Sequence, residues 1–99
     1  MLNIQKNKNG TDFAIALEGR LDTTTAPQLE KELKAEIADV AELTFDFEKL
    51  EYISSAGLRV LLSAQKIMNK QGHMAICNVN DDIMEIFEVT GFSDILDIK

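Results

Sequence analysis

Residues 43–58 have the sequence LTFDFEKLEYISSAGL, and this stretch decides the fold. Apolar side chains alternate with polar ones through Leu43–Phe47, which predicts a strand. After a second apolar stretch comes Ser54–Gly57, in which two serines precede two small residues. Serine is favoured just before a helix because its hydroxyl accepts a hydrogen bond from a free N–H group of the first turn. The stretch therefore predicts a strand that leads into a helix, with either serine as the N-cap.

The residues after this junction predict a long and largely buried helix. Its apolar positions surround a single polar stripe, spaced four, three and four residues apart, that consists of Arg59, Ser63, Lys66 and Lys70. So wide an apolar surface predicts burial against a sheet and a neighbouring helix together. Gln71 and Gly72 predict the end of the helix.

The N-terminal segment predicts a β-hairpin. Leu2–Gln5 alternates between apolar and polar residues, and the large apolar residues Phe13, Ile15 and Leu17 alternate with Ala14, Ala16 and Glu18. Asn7–Gly10 lies between them and has the composition of a turn. Two such strands joined by a short turn form a hairpin.

Two more helices and two more strands are predicted from caps and periodicity. Thr25 is the predicted N-cap of the first helix, with Pro27 and Gln28 in its first turn. The run 74–79, apolar except for Asn78, predicts a buried strand. Asn80 is the predicted cap of the last helix. The first helix continues with apolar residues at helical spacing: Leu29, Leu33, Ile37 and Val40. Gly91 predicts the end of the last helix, and Ile95, Leu96 and Ile98 predict a short final strand.

The predicted element order is β-β-α-β-α-β-α-(β), in one domain over residues 1–99. Strands that alternate with helices predict an α/β fold with a mostly parallel sheet of four to five strands and right-handed crossovers. The segments Asp22–Thr25 and Ser54–Gly57 then both follow the carboxyl ends of strands. Ligands and partners of open α/β sheets gather at that edge, so we expect these two polar loops to lie together.

The composition is that of an acidic protein. Apolar residues make up 45% of the chain and charged residues 27%, with a formal net charge of −7. Binding to nucleic acid or to anionic lipid requires a basic face, so we expect neither partner. No apolar run approaches the roughly 20 residues that span a bilayer, so no membrane insertion is expected. A protein partner with a basic surface fits the charge better.

The start of the chain and its cysteine content predict a cytoplasmic protein. Residues 1–6 lack the apolar region of a signal peptide. The single cysteine, Cys77, cannot form an internal disulfide, as is usual in a reducing compartment. Because Cys77 lies within an apolar run, we interpret it as a core residue rather than a nucleophile.

No motif of an enzyme is present in the sequence. It lacks the G-x-S-x-G elbow, the phosphate-binding loop G-x-x-x-x-G-K-[ST] and the zinc motif H-E-x-x-H. The only histidine, His73, lies at a predicted strand start, so Ser55 has no evident histidine partner, and His73 has no ligand cluster for a metal. We predict no cofactor. Asp46, inside a predicted strand, has two interpretations: it satisfies backbone groups near the serines or it faces water.

Three motifs occur in order along the chain. Residues 43–58 combine an apolar strand that carries an aspartate with a serine, a small residue, Gly and Leu. Gly19–Asp22 places a glycine and an aspartate before the first helix, and Phe87–Phe92 ends a helix near a glycine. Together they resemble the signature of STAS domains, in particular the bacterial anti-sigma factor antagonists, over nearly the whole chain. The resemblance implies the STAS-type fold.

The resemblance also implies roles for individual residues. Ser55 matches the family's phosphorylated serine, and Asp22 matches its partner-contacting acid. Ser54 stands where the family commonly has an aspartate, which leaves Ser54 as a second candidate acceptor. Taken without the resemblance, Asp22 has another interpretation, as the residue that closes the turn before the helix. The implied partner-binding residues are Asp22, Thr23, Thr24, Ser54, Ser55, Ala56 and Gly57.

The function implied by the resemblance is a phosphorylation switch without catalytic activity of its own. The unphosphorylated protein is expected to bind an anti-sigma factor that is also a serine kinase, which releases a sigma factor. Phosphorylation of Ser55 by that kinase ends the complex, and a serine phosphatase restores it. Two alternatives share the fold: a STAS module of another system, such as a lipid-transporter accessory subunit or a signalling scaffold, and an adaptor that is never phosphorylated. An enzymatic function is the third alternative.

Overall fold

Five strands and three helices follow one another in the predicted order, and the α/β fold class is confirmed. The computed structural model describes residues 2–99. The strands are β1 (Leu2–Asn9), β2 (Asp12–Leu21), β3 (Glu42–Ile53), β4 (His73–Cys77) and β5 (Asp97–Ile98), and the helices are α1 (Ala26–Glu36), α2 (Ser55–Gln71) and α3 (Asp81–Thr90). Single 3-10 turns follow α1 and α3, at Ile37–Asp39 and Phe92–Asp94.

The strands lie in the sheet in their order along the chain. β1 pairs with β2 in the antiparallel sense, and every later pair is parallel. Successive right-handed crossovers in one direction place their helices on one face of the sheet. The burial pattern agrees, because Phe13, Ile15 and Leu17 of β2 are buried, whereas their neighbours Ala14 and Glu18 are exposed. One face of the sheet thus forms the core, and the other is open.

Aromatic and aliphatic side chains fill the space between the sheet and the helices. Phe45 and Phe47 of β3 have ring centroids 6.0 Å apart, and Phe87 of α3 lies 6.4 Å from Phe47. All three are fully buried, and burying one such side chain contributes about 1.5–3 kcal/mol. Met68 and Met74 are also buried, as predicted, whereas Met84 is only half-buried.

The hairpin is longer than the sequence predicted. β1 continues through Asn9 instead of ending at Gln5, and only Gly10 and Thr11 form the turn. Gly10 has φ +64°, which suits the first central position of a two-residue hairpin turn. Lys6 and Lys8 extend the strand because they form ion pairs with carboxylates of α1 and of the 3-10 turn after it.

β2 and β3 are also longer than predicted. Two irregularities in their pairing allow the strands to continue through polar residues. Their register shifts between Ala16 and Glu18, and again between Gly19 and Arg20. Asp46 supports the first irregularity, since its Oδ1 accepts hydrogen bonds from the Glu48 N–H and the Asn78 side chain, both at 3.0 Å. Asp46 therefore satisfies a backbone group, but one within β3 itself rather than one near the serines, as the first interpretation expected.

β4 is shorter than predicted. It ends at Cys77 instead of Val79 because Asn78 has φ +59°, a left-handed conformation that breaks a strand. Asn80 then caps α3, as predicted, by accepting a hydrogen bond from the Ile83 N–H at 2.8 Å. Gly91 ends α3 with φ +83°, also as predicted.

The central helix α2 has the two-sided burial that its composition predicted. It packs against α1 on one side and against β3 and β4 on the other. All four residues of its polar stripe are exposed. Gly72 ends α2 where its backbone contacts the loop before β3, since a Cβ atom at Gly72 would lie 1.9 Å from the Ala41 carbonyl oxygen. Within residues 2–99 no helix combines the length and apolar character that crossing a bilayer needs.

His73 links three strands at the amino-terminal end of the parallel sheet. Its Nδ1 lies 3.3 Å from a carboxylate oxygen of Glu42 in β3, and its Nε2 lies 2.7 Å from one of Asp97 in β5. The hydrogen bonds with Glu42 and Asp97 raise the pKa of His73 above its ordinary value. Protonated His73 therefore holds the short strand β5 to the sheet.

We expect His73→Gln to lower the melting temperature at about pH 5.5 and to leave it nearly unchanged at about pH 9. Because the pKa of His73 is higher in the folded chain, its contribution is complete below the unfolded value of about 6.5 and is lost as the pH rises through the folded value. Melting curves of both proteins at the two pH values measure this. An equal loss at both would contradict a role for the proton.

Candidate functional site

Two polar loops meet at the carboxyl-terminal edge of the parallel sheet, as the sequence predicted. β2 leads into Asp22–Thr25, and β3 leads into Ser54 and the start of α2. The two strands are neighbours, with Leu21 paired to Ile53. The Ser54 N–H donates a hydrogen bond to the Leu21 carbonyl oxygen at 2.9 Å. This bond fixes the position of one loop relative to the other.

Asp22 closes its loop with one carboxylate oxygen. Its Oδ1 accepts hydrogen bonds from the Thr24 hydroxyl at 2.7 Å, the Thr24 N–H at 3.0 Å and the Thr25 N–H at 3.1 Å. The Thr24 hydroxyl is the largest cause of the lowered pKa of Asp22. Among residues 2–99 no group donates to the other oxygen, Oδ2. Asp22 thus has the turn-closing role and keeps an ionised oxygen for other contacts.

Thr25 belongs to this loop more than to the helix that follows it. It occupies the N-cap position of α1, as predicted, but its side chain caps no helical N–H group. The Thr25 hydroxyl instead accepts from the Asp22 N–H and donates to the Arg20 carbonyl oxygen, each at 2.8 Å. Thr25 is buried, whereas Thr23 and Thr24 are exposed. The loop is therefore held from inside and presents two hydroxyl-bearing residues outward.

The two adjacent serines have different environments. Ser54 is the N-cap of α2, and its Oγ accepts a hydrogen bond from the Gly57 N–H at 3.4 Å. Ser55 is the first residue of the helix and is exposed. Within residues 2–99 no side-chain hydrogen bond involves the Ser55 hydroxyl. The structure thus separates the cap, Ser54, from an exposed hydroxyl at the start of the helix, Ser55.

Gly57 lets α2 begin close to the ends of both strands. A Cβ atom at this position would lie 2.8 Å from side-chain carbons of Leu21 and of Ile53. Such distances require neighbouring atoms to move, and here the neighbours are buried core side chains. Ala56, beside it, is half-buried. The small residues of the junction therefore set how near the exposed Ser55 lies to the Asp22 loop.

The local electrostatics favour an anion at Ser55. The first N–H groups of a helix have no partners within it, and its dipole places partial positive charge there. α2 is 17 residues long, so the dipole is fully developed. The only histidine, His73, starts β4 and therefore lies at the opposite end of the sheet. The arrangement suits a hydroxyl that receives a phosphoryl group from another protein's active site.

Two exposed residues at this edge were missed by the sequence analysis. The Arg20 guanidinium carbon lies 4.4 Å from the centroid of the Tyr52 ring, a cation–π arrangement. Both residues lie in parts of β2 and β3 that were not predicted as strand. The signal that could have revealed them is the alternation of exposed and buried residues in a strand. Arg20 directly precedes the buried Leu21, and Tyr52 directly precedes the buried Ile53.

The remaining reactive side chain lies outside this edge. Cys77, at the end of β4, is half-buried rather than fully within the core. Burial raises the pKa of its thiol, which lowers the fraction present as the nucleophilic thiolate. Within residues 2–99 no group of His, Cys, Asp and Glu side chains is arranged to hold a metal ion.

Comparisons with known proteins agree on one family. The family model described as STAS domain matches residues 3–99. The protein BtrV of Bordetella bronchiseptica is 40% identical over 85 residues, which cover 83% of this chain and 72% of BtrV. The anti-sigma-B factor antagonist of Bacillus subtilis is 29% identical over 99 residues, which cover 99% of this chain and 91% of that protein.

A solved structure supports the same fold. The Bacillus cell fate determinant SpoIIAA in its phosphorylated form superimposes with a TM-score of 0.78 at 19% identity. The superposition covers 98% of this chain and 91% of that one. At this identity the likeness concerns the fold.

We expect Ser54→Ala to destabilise the chain by about 0.5–1 kcal/mol, the lower part of the range for a lost N-cap, because its 3.4 Å hydrogen bond is long. Ser55→Ala should leave stability nearly unchanged, since the Ser55 hydroxyl caps nothing and alanine suits a first helical turn. Chemical denaturation of both variants measures the difference. A larger loss for Ser55→Ala would show that the two serines exchange roles in solution.

Proposed function

The chain belongs to the STAS domain family and is of the anti-sigma factor antagonist type, and we propose that its Asp22–Ser55 edge binds an anti-sigma factor with serine kinase activity. Unphosphorylated chain captures that factor and so releases a sigma factor. The kinase then phosphorylates Ser55, the complex dissociates, and a serine phosphatase restores the chain. The observation that carries this proposal is the exposed hydroxyl of Ser55, free of capping and adjacent to the Asp22 loop.

The choice of Ser55 over Ser54 rests on their surroundings. Ser54 is half-buried, and its Oγ is engaged with the Gly57 N–H. A phosphate on Ser54 would cost the helix its cap, whereas one on Ser55 leaves the cap in place. Ser54 is therefore the fallback acceptor only. Its replacement of the family's usual aspartate conserves the local chemistry, because Ser and Asp are comparable N-caps.

The sign of the switch follows from where the phosphate charge falls. A phosphoserine adds about −1.5 to −2 charges near neutral pH. The N-terminus of α2 accommodates this charge, and SpoIIAA keeps its fold in a phosphorylated form. The cost then falls on the interface, where each loss of about 1.4 kcal/mol weakens binding tenfold. Phosphorylation is thus expected to end binding without unfolding the chain.

In this scheme the chain is the substrate of a kinase, not a catalyst. Its edge presents hydroxyls and a carboxylate but no histidine to activate them, and the proposed cycle requires no cofactor of its own. Kinase, phosphatase and sigma factor all act inside the bacterial cell, so we place the chain in the cytoplasm. An adaptor that is never phosphorylated would use the same edge, and the next experiment separates the two.

We expect Ser55→Ala to bind the kinase as wild type does and to resist release on addition of ATP. Ser55→Asp should fold as well as wild type but bind more than about tenfold more weakly, because one added charge imitates part of the phosphate. Titration calorimetry against the organism's anti-sigma factor kinase, together with melting curves, measures both. Equal affinity of all three proteins, with no phosphate on Ser55 or Ser54 after incubation with kinase and ATP, would favour the constitutive adaptor.

Asp22→Asn tests the carboxylate separately from the turn. Asparagine retains an acceptor oxygen for Thr24 and Thr25, but it replaces the charged Oδ2 of the carboxylate with a neutral NH₂ group. We expect a small drop in melting temperature, because the lowered pKa of Asp22 means that its ionised form stabilises the loop, and a loss of affinity of about tenfold. Asp22→Ala is the matched control, because it removes the turn contacts as well and should lower both. If Asp22→Asn binds like wild type, Asp22 serves the loop alone.

A further inference from the structure

A groove between α1 and α2 begins beside the edge that carries Ser55. At its mouth lie Thr23 of the Asp22 loop and Ala56 of the serine junction. Its floor includes Ala26 and Val60, which are buried. The mouth region encloses about 430 Å³, room for several side chains. The groove is therefore continuous with the proposed binding edge.

Beyond its mouth the groove narrows to a shallow, mostly apolar cleft of about 20 Å³ between the two helices. Its second part is lined by Leu33 and Ile37 of the α1 side and by Ala64 and Ile67 of α2. Ile67 is 36% exposed, one of the few large apolar side chains on the surface. The cleft lies between helices that already pack against each other. An amphipathic segment seated in the mouth and laid over the cleft would cover the exposed Ile67, as in helix-in-groove recognition.

The rim of the groove is basic, although the chain carries a net charge of −7. Arg59 and Lys66 line the α2 side and are exposed. Within residues 2–99 neither side chain forms an ion pair or a side-chain hydrogen bond. On the α1 side, Glu30 is 3.6 Å from Lys34, so that carboxylate already has a cation. The unpaired charge along the groove is thus positive.

We propose that this groove binds an acidic segment of the anti-sigma factor whose apolar side chains lie on Val60 and Ile67 and whose carboxylates meet Arg59 and Lys66. The inference rests on the proposed function and adds the chemistry of the partner surface. At the groove it departs from the basic partner surface that the net charge predicts, because Arg59 and Lys66 set the local charge there. Charge complementarity identifies the occupant. A basic segment would be repelled by Arg59 and Lys66, and the one carboxylate of the groove, Glu30, is already paired with Lys34. A second copy of this acidic chain fits less well for the same reason of charge.

Arg59 connects the groove to phosphorylation. Ser55 and Arg59 are four residues apart in α2, so they are neighbours on one helix face, with Cβ atoms about 5–6 Å apart. An Arg guanidinium forms strong, directional hydrogen bonds with a phosphate. A phosphate on Ser55 therefore engages Arg59 and removes it from the partner's carboxylates. It also places negative charge at the mouth of the groove, where the acidic segment enters.

The test uses the purified anti-sigma factor kinase of the same organism and titration calorimetry with the full chain. Arg59→Ala should weaken binding about tenfold, and Lys66→Ala by a smaller factor. Lys70→Ala is the matched control, because Lys70 belongs to the same exposed stripe but does not line the groove, and it should change affinity by less than about twofold. The effect of Arg59→Ala should also shrink as salt is raised.

A double-mutant cycle tests the link to Ser55. Ser55→Asp should weaken binding strongly in the wild-type background but only by about two- to threefold in the Arg59→Ala background, since the cation it would capture is already absent. Additive effects would overturn the role of Arg59 in the switch.

Hydrogen exchange of the complex, followed by mass spectrometry, reports on the groove without mutation. Slowed exchange over residues 26–37 and 59–67 supports the proposal. Slowing confined to residues 22–25 and 54–57 overturns it while leaving the proposed function intact. Slowing of the groove in the chain alone at high concentration would identify a second copy as the occupant and overturn it too. If the wild-type chain binds none of the organism's anti-sigma factors, the proposed function and this inference fail together.

Discussion

The close approach of α2 to the ends of β2 and β3 is the constraint on which the site depends. Gly57 makes this approach possible, because any side chain there would press into Leu21 and Ile53. The hydrogen bond from the Ser54 N–H to the Leu21 carbonyl oxygen closes the same gap at the level of the backbone. Leu21 directly precedes Asp22, and Ile53 directly precedes Ser54. A displacement of the helix start would therefore move the two loops apart and change the surface they form together.

This constraint also explains why only one of the two adjacent serines caps α2. The Ser54 Oγ turns back to the first helical turn, where it holds the Gly57 N–H. Ser55, one position on, is then exposed by the geometry of the helix itself. A modified residue is most useful where its modification costs the fold little, and a side chain outside the cap satisfies that condition. The fold provides the cap and the dipole, and in the proposed function the exposed hydroxyl is left for phosphorylation.

Periodicity and turn chemistry predicted the elements well, because each depended on local sequence. The order of strands and helices, the Asn80 cap and the polar stripe of α2 all followed from spacing and capping rules. Strand ends were less predictable, since they depend on contacts distant in sequence, such as the ion pairs of Lys6 and Lys8 with the α1 side. The side-chain roles of Thr25 and Asp46 were not predictable either. Each hydroxyl or carboxylate could satisfy several backbone groups, and only the folded loops determine which ones.

The distribution of charge explains how so acidic a chain could select an acidic partner segment. A net charge of −7 repels acidic surfaces at long range, but salt limits that repulsion to about 8 Å under physiological conditions. Contacts within the groove are shorter than this, so the local cations Arg59 and Lys66 decide the sign there. The acidic remainder of the surface then disfavours other orientations of the same segment. A phosphate at Ser55, as proposed, would add negative charge next to these cations. A single modification can thus reverse the balance of an interface while the core that positions it stays the same.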